Sequence, residues 1–130
     1  MKIIPENKIQ QECINWFKNN YCLKHHSPRL LIYSVPNELP ISLPPKEMAR
    51  AIGLMTQTGL LKGANDVIIQ GLNGHVLNAE CKTKTGTQSE AQKDFEARIK
   101  ELNGHYFIFR SLEEFQENIY KHLDWLLCKI

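Results

Sequence analysis

Apolar residues along the chain follow two spacings, one helical and one alternating. Between residues 5 and 19, Ile9, Cys13, Trp16 and Phe17 recur at helical intervals and predict a helix with one apolar stripe. Pro5 suits its first turn and Glu6 its electropositive start. Residues 29 to 35, RLLIYSV, are β-branched and aromatic, which predicts a strand. Pro36, Pro40, Pro44 and Pro45 mark an irregular connection, and KEMARAIGLMTQTG after it has helical character ending near Gly59. VIIQG and HVLNAECK read as two strands of a hairpin turned by GLNG. Ser89 then opens a helix, SEAQKDFEARIKELNG, with Gln92 placed for a capping box, Phe95, Ile99 and Leu102 on its apolar face and Gly104 at its end. HYFIFR is a further strand, and Leu112 to Leu127 a last helix with Phe115, Ile119, Leu123 and Leu126 on one side. The order α-β-α-β-β-α-β-α predicts an α/β fold in which a mixed central sheet is flanked by helices, as one domain over residues 1–130.

Composition narrows this picture without changing it. Apolar residues make up 42% and charged ones 23%, which fits a folded globular chain and excludes a disordered one. No apolar run approaches the roughly 18 residues of a membrane span, and the first residues lack the apolar core of a signal peptide. The net charge of +2 neither demands nor excludes a nucleic-acid partner, because a local basic face is enough. Cys13, Cys22, Cys81 and Cys128 form no CxxC pair and stand near no histidine at zinc-binding spacing, so reduced thiols in a cytoplasmic protein are expected. His25, His26, His75, His105 and His122 are scattered and read as surface or turn residues. Trp16, Phe17, Phe95, Phe107 and Phe109 follow the apolar stripes and read as core.

The chemistry gathers at Asp66 and, thirteen residues later, Glu80-Cys81-Lys82. Asp66 begins one strand of the predicted hairpin, while Glu80 and Lys82 lie near the end of its partner. Residues two apart in a strand share a face, so Glu80 and Lys82 project together and Cys81 points to the opposite layer. The hairpin's open end then sets Asp66 beside them. Two neighbouring carboxylates repel, and a divalent cation relieves that repulsion. Such a cation acidifies water and polarises a phosphoryl oxygen, and a lysine beside it can orient the attacking group. The Cys81 carbonyl lies between the two side chains as a further hard ligand. The competing reading is an edge strand whose alternating charges face solvent.

The motifs themselves resemble a known family. VPNE, GLLKGANDVII, LNAECKTKTG, the following SEAQ and LNGHYFIFRSLEEF resemble the VRR-NUC domain, the virus-type replication-repair nuclease group of the PD-(D/E)xK superfamily. ENKIQQECINWF resembles the opening of stand-alone phage members, so the resemblance covers nearly the whole chain. It implies a restriction-endonuclease-like fold and a Mg2+- or Mn2+-dependent DNA endonuclease of the bacterial or phage-infected cytoplasm. It makes Asp66 and Glu80 metal ligands with the Cys81 carbonyl, Lys82 the catalytic lysine, and Gln92 the glutamine that follows the ExK strand. Glu6 matches the acidic residue of the first helix, with Gln10 one turn on. Ala64-Asn65 departs from the Val-Pro pair that usually precedes the aspartate.

Several readings stay open on the residues alone. Gln92 also completes a capping box, and Glu6 also suits a helix start. Glu12 and Glu38 rival Glu6 as the extra carboxylate. Lys62, Lys84 and Lys93, with Arg50 and Arg98, are candidates for phosphate contacts, or simply part of a mixed-charge surface. The resemblance implies a homodimer acting on branched DNA such as four-way junctions. In the last helix, Trp125, Leu127 and Ile130 exceed one buried stripe and are candidates for the subunit contact, or else close the monomer's core. Other functions in view are a non-catalytic DNA-binding module and a nicking or restriction-like endonuclease.

Overall fold

The computed structural model describes residues 2–36 and 42–129. Its elements are α1 (Glu6–Tyr21), β1 (Leu31–Ser34), α2 (Pro45–Gln57), β2 (Val67–Gln70), β3 (Val76–Cys81), α3 (Glu90–Glu101), β4 (His105–Phe109) and α4 (Leu112–Leu126). This is the order predicted from the apolar spacing. Pro5 stands one residue before α1, with its carbonyl accepting from the Ile9 amide at 3.2 Å. The turn between β2 and β3 is a short 3-10 segment, Leu72–Gly74, in which Asn73 takes φ 56°.

The strands lie in the order β1-β2-β3-β4. β1 with β2 and β2 with β3 are antiparallel, whereas β3 with β4 is parallel, with α3 in the connection between them. β3 is therefore a central strand, which overturns the edge-strand alternative for Glu80 and Lys82. The period of two divides its side chains cleanly. Leu77, Ala79 and Cys81 join Val67, Ile69, Phe107 and Phe109 in a core closed by Cys13 and Phe17 of α1 and by Phe115 and Ile119 of α4. Phe109 and Phe115 meet edge to face with centroids 4.9 Å apart, the arrangement aromatic quadrupoles favour. Asn78 and Glu80 take the other face, together with Lys82 just past the strand and Tyr106 of β4. There α3 packs, through Phe95 against Tyr106.

Three details differ from the sequence expectation. Leu102 is 80% exposed, because it falls at the C-cap of α3, past the last turn that faces the sheet. That helix closes on Asn103 at φ 63°, one residue before Gly104, whose amide reaches back to the Ile99 carbonyl at 2.8 Å. His75 sits at the β2–β3 turn as expected, but it, His105 and His122 are partly buried and gathered together. Their rings pack with Trp125, which stacks on His75 at 4.4 Å and lies 4.0 Å from His105. Trp125 and Leu127 are partly buried and pack against their own chain's core, and Ile130 lies outside the described residues. By contrast α2 forms as predicted but buries no residue, and Ile52 and Leu54 on it are exposed. All four cysteines are free, and Cys13 and Cys81 are buried as expected. Among the described residues no helix is long and apolar enough to cross a membrane.

Candidate active site

Asp66 is the residue just before β2, and three neighbours hold it. Its backbone carbonyl accepts from the Val35 amide at 2.8 Å, extending the β1–β2 pairing by one step. Its Oδ2 accepts from the Cys81 amide at 2.8 Å. The carboxylate therefore stands where the next strand carbonyl would, at the open end of the hairpin. Asn65 brackets it: its buried Nδ2 donates across Asp66 to the Val67 carbonyl at 2.6 Å. The Ala64-Asn65 departure from the family pattern is thereby accommodated, because an asparagine can rebuild a turn through its own side chain. Gly63 is required for a different reason. It takes φ +90°, and a Cβ there would fall 2.4 Å from the Ala91 backbone. The loop carrying Asp66 is thus seated directly on the first turn of α3.

Glu80 is wholly buried, with 0% of its surface exposed. Neither carboxylate oxygen has a hydrogen-bond partner. Burial raises its pKa above the ordinary carboxylate value. The Tyr106 hydroxyl, Lys82 and the Gln88 amide lie near enough to oppose that shift, and Asp66 adds to it. A buried charge without a partner is costly, and natural cores avoid it except where an ion or a reaction uses it.

Lys82 is 8% exposed, and its Nζ donates to Gln92 Oε1 at 2.7 Å. The same Oε1 accepts from the Ser89 amide at 2.8 Å, while the Gln92 amide donates to Ser89 Oγ at 3.2 Å. The two readings of Gln92 are therefore not alternatives. One oxygen caps α3 and orients the lysine, so the helix start fixes where the ammonium points.

The remaining sequence candidates divide. Glu6 and Gln10 line a cleft of about 430 Å³ whose far wall carries Asp66. The Cys81 thiol donates to the Glu6 carbonyl at 3.4 Å, which ties the start of α1 to the site strand. Glu12 is an exposed residue of α1 outside that cleft, and Glu38 lies outside the described residues. Lys62 and Lys84 are exposed, as is Lys93, which pairs with Glu90 at 3.3 Å on the surface. Such a pair is weak and yields readily to a phosphate. Arg98 and Lys100 face Asp94 and Glu96 on the surface of α3, which fits the mixed-charge reading of Arg98.

No protein-family model and no curated protein matches the chain. Among solved structures, a "VRR_NUC domain protein" superposes with a TM-score of 0.71 and 17% identity, covering 98% of this chain and 93% of that one. The chain has the VRR-NUC fold. At that identity the likeness is one of backbone arrangement, and the side-chain chemistry rests on this chain's own geometry.

Within the VRR-NUC fold, the sequence reading missed two neighbours of the site. Tyr106 and Gln88 approach Glu80 from behind, and Gln88 Nε2 is anchored to Glu96 at 3.1 Å and lies 3.4 Å from the Tyr106 hydroxyl. Both are polar residues whose role depends on the parallel β3–β4 register, which sets Asn78 opposite Tyr106. No local spacing encodes that register. The donor set fits a hard divalent cation. Asp66 and the orphaned Glu80 supply carboxylate oxygens, and the Cys81 carbonyl leaves the strand on the same side as its amide, toward Asp66. Among the described residues no three His, Cys, Asp or Glu side chains form a metal-holding group. An ion here would complete its shell with backbone oxygen and water, as Mg2+ commonly does.

Proposed function

We propose that this chain is a divalent-metal-dependent DNA endonuclease that cuts branched DNA such as four-way junctions. The supporting observation is the convergence of Asp66, the unpartnered buried Glu80 and the Gln92-oriented Lys82 at one hairpin end. Asp66, Glu80 and the Cys81 carbonyl would hold Mg2+ or Mn2+, with Glu6 contributing from the facing wall of the cleft. When bound, the cation makes water more acidic and stabilises negative oxygen on the phosphate. Lys82 donates hydrogen bonds to the attacking oxygen or the phosphate, and Gln92 keeps its ammonium aimed there. Glu80 is sealed from solvent on the sheet, and a bound cation would favour its ionised form against the desolvation that raises its pKa. Lys62, Lys84 and Lys93 would meet flanking phosphates, and Gln10 the backbone across the cleft.

A panel of labelled duplex, flap and four-way substrates tests this reading. Cleavage is expected with Mg2+ or Mn2+, to stop with EDTA and to return when the metal is restored. Activity that survives exhaustive chelation contradicts the metal assignment. DNA binding with no cleavage under any metal supports the non-catalytic module instead.

A homodimer is part of the same proposal. Two coordinated incisions in a symmetric junction suit two sites related by a two-fold axis. Light scattering at micromolar concentration should give twice the 15.1 kDa chain mass, and a particle of the single-chain mass rules the dimer out.

A further inference from the structure

Beside the active centre lies a cavity of about 660 Å³ that the catalytic residues do not use. Its volume falls in the roughly 300–1,000 Å³ range of small-molecule sites. Ile3, Ile4 and Ile9 give it apolar walls, while Lys2, Lys84 and Arg110 bring cations to it and Glu114 the single carboxylate. Ile3 and Ile4 remain 50% and 53% exposed, so this surface is apolar without being covered by the chain itself. Arg110 is held in place. Its Nη1 donates to the Thr83 and Gly86 carbonyls at 2.7 and 2.6 Å, pinning the loop that leads out of the site strand. Those bonds leave the other guanidinium nitrogens to meet an anion.

We propose that this cavity receives one unpaired nucleotide of the DNA substrate, next to the phosphate that is cut. The inference rests on the DNA-cleaving reading and deepens it. An apolar floor under a cationic rim complements a base attached to a phosphate. The cavity lies close to the active centre along the chain: its Lys84 follows Lys82 by two residues, at most about 7 Å of chain. A base inside a duplex must be unstacked before it can enter, at a cost of a few kcal/mol that is least for a nucleotide already unpaired. The cavity therefore favours branch points over continuous duplex, which the catalytic trio alone cannot do.

The test is a cycle that pairs Ile4→Ser with abasic substitutions. Ile4 is half exposed and does not line the cleft that carries Glu6 and Asp66, so the variant is expected to fold and to cut plain duplex at the wild-type rate. Each nucleotide within a few positions of the junction cut is replaced in turn by an abasic residue. At one position the wild-type protein should lose about tenfold in kcat/KM, as should Ile4→Ser on the intact junction. At that position the abasic substitution should cost the variant nothing more. Equal abasic penalties in both proteins, or junction cutting by Ile4→Ser at the wild-type rate, overturn the proposal while leaving the nuclease reading intact. A wild-type protein that cuts no DNA overturns both.

Discussion

Glu80→Gln should make the metal-free protein more stable and at the same time inactive. The wild-type carboxylate is fully buried, and neither oxygen has a hydrogen-bond partner. Keeping a buried carboxylate ionised carries a desolvation cost, which Tyr106, Lys82 and Gln88 offset only in part, since its pKa stays raised. Glutamine has nearly the same shape and carries no charge, and the Tyr106 hydroxyl and Gln88 amide lie beside it as polar neighbours. A gain of about 1–2 kcal/mol would raise the melting temperature by roughly 3–10 °C in a domain of this size. Cleavage should fall about a thousandfold or more, because an electrostatic contribution of several kcal/mol disappears with the charge. Added Mg2+ should raise the melting temperature of the wild type and not that of the variant. A variant that melts at or below the wild-type temperature without metal, and still responds to Mg2+, would show that Glu80 is structural. Tyr106→Phe belongs in the same experiment. It removes a hydroxyl that favours the ionised carboxylate, so it should weaken the Mg2+ response without abolishing it.

The elements of this fold and the juxtaposition of Asp66, Glu80 and Lys82 were legible in the sequence for a physical reason. Alternating and helical apolar spacings are local, and so is the two-residue offset that puts Glu80 and Lys82 on one face. A hairpin turn of a few residues is local too, which is why Asp66 could be set beside them. What escaped is non-local. Tyr106 reaches Glu80 only because β4 returns parallel to β3, and Gln88 only because its loop folds back over that pair. The packing of His75, His105 and His122 around Trp125 joins the β2–β3 turn, the start of β4 and the end of α4. Scattered in sequence, these residues carry no shared spacing. Leu102 misled for the opposite reason. Its helical phase was right, but the helix ended before its turn met the sheet. Gln92 is the instructive intermediate, since sequence offered both a cap and a site position and structure alone showed one oxygen accepting from both Ser89 and Lys82.

That shared oxygen makes Lys82, the lysine proposed to act in catalysis, dependent on a helix cap. Lys82→Met keeps most of the buried aliphatic stem and removes the ammonium. Cleavage should fall about a thousandfold, the scale of losing one oriented donor at a developing charge. Metal binding should survive, with a Mg2+-induced rise in melting temperature at least as large as in the wild type, because a neighbouring positive charge is gone. Gln92 then separates positioning from structure. Gln92→Ala removes both the cap and the lysine's partner, so it should lower stability by about 1 kcal/mol and slow cleavage 10- to 100-fold. Gln92→Glu keeps an acceptor at the capping position, where glutamate serves as well, and should retain the stability of α3. It also fixes Lys82 to a full negative charge and adds one more carboxylate where phosphate must approach. Cleavage by Gln92→Glu should therefore fall as far as in Gln92→Ala, mainly in kcat, although the protein melts like the wild type. If Gln92→Glu cuts DNA at the wild-type rate, the hydrogen bond from Lys82 does not orient the lysine for catalysis, and Gln92 is a helix cap alone.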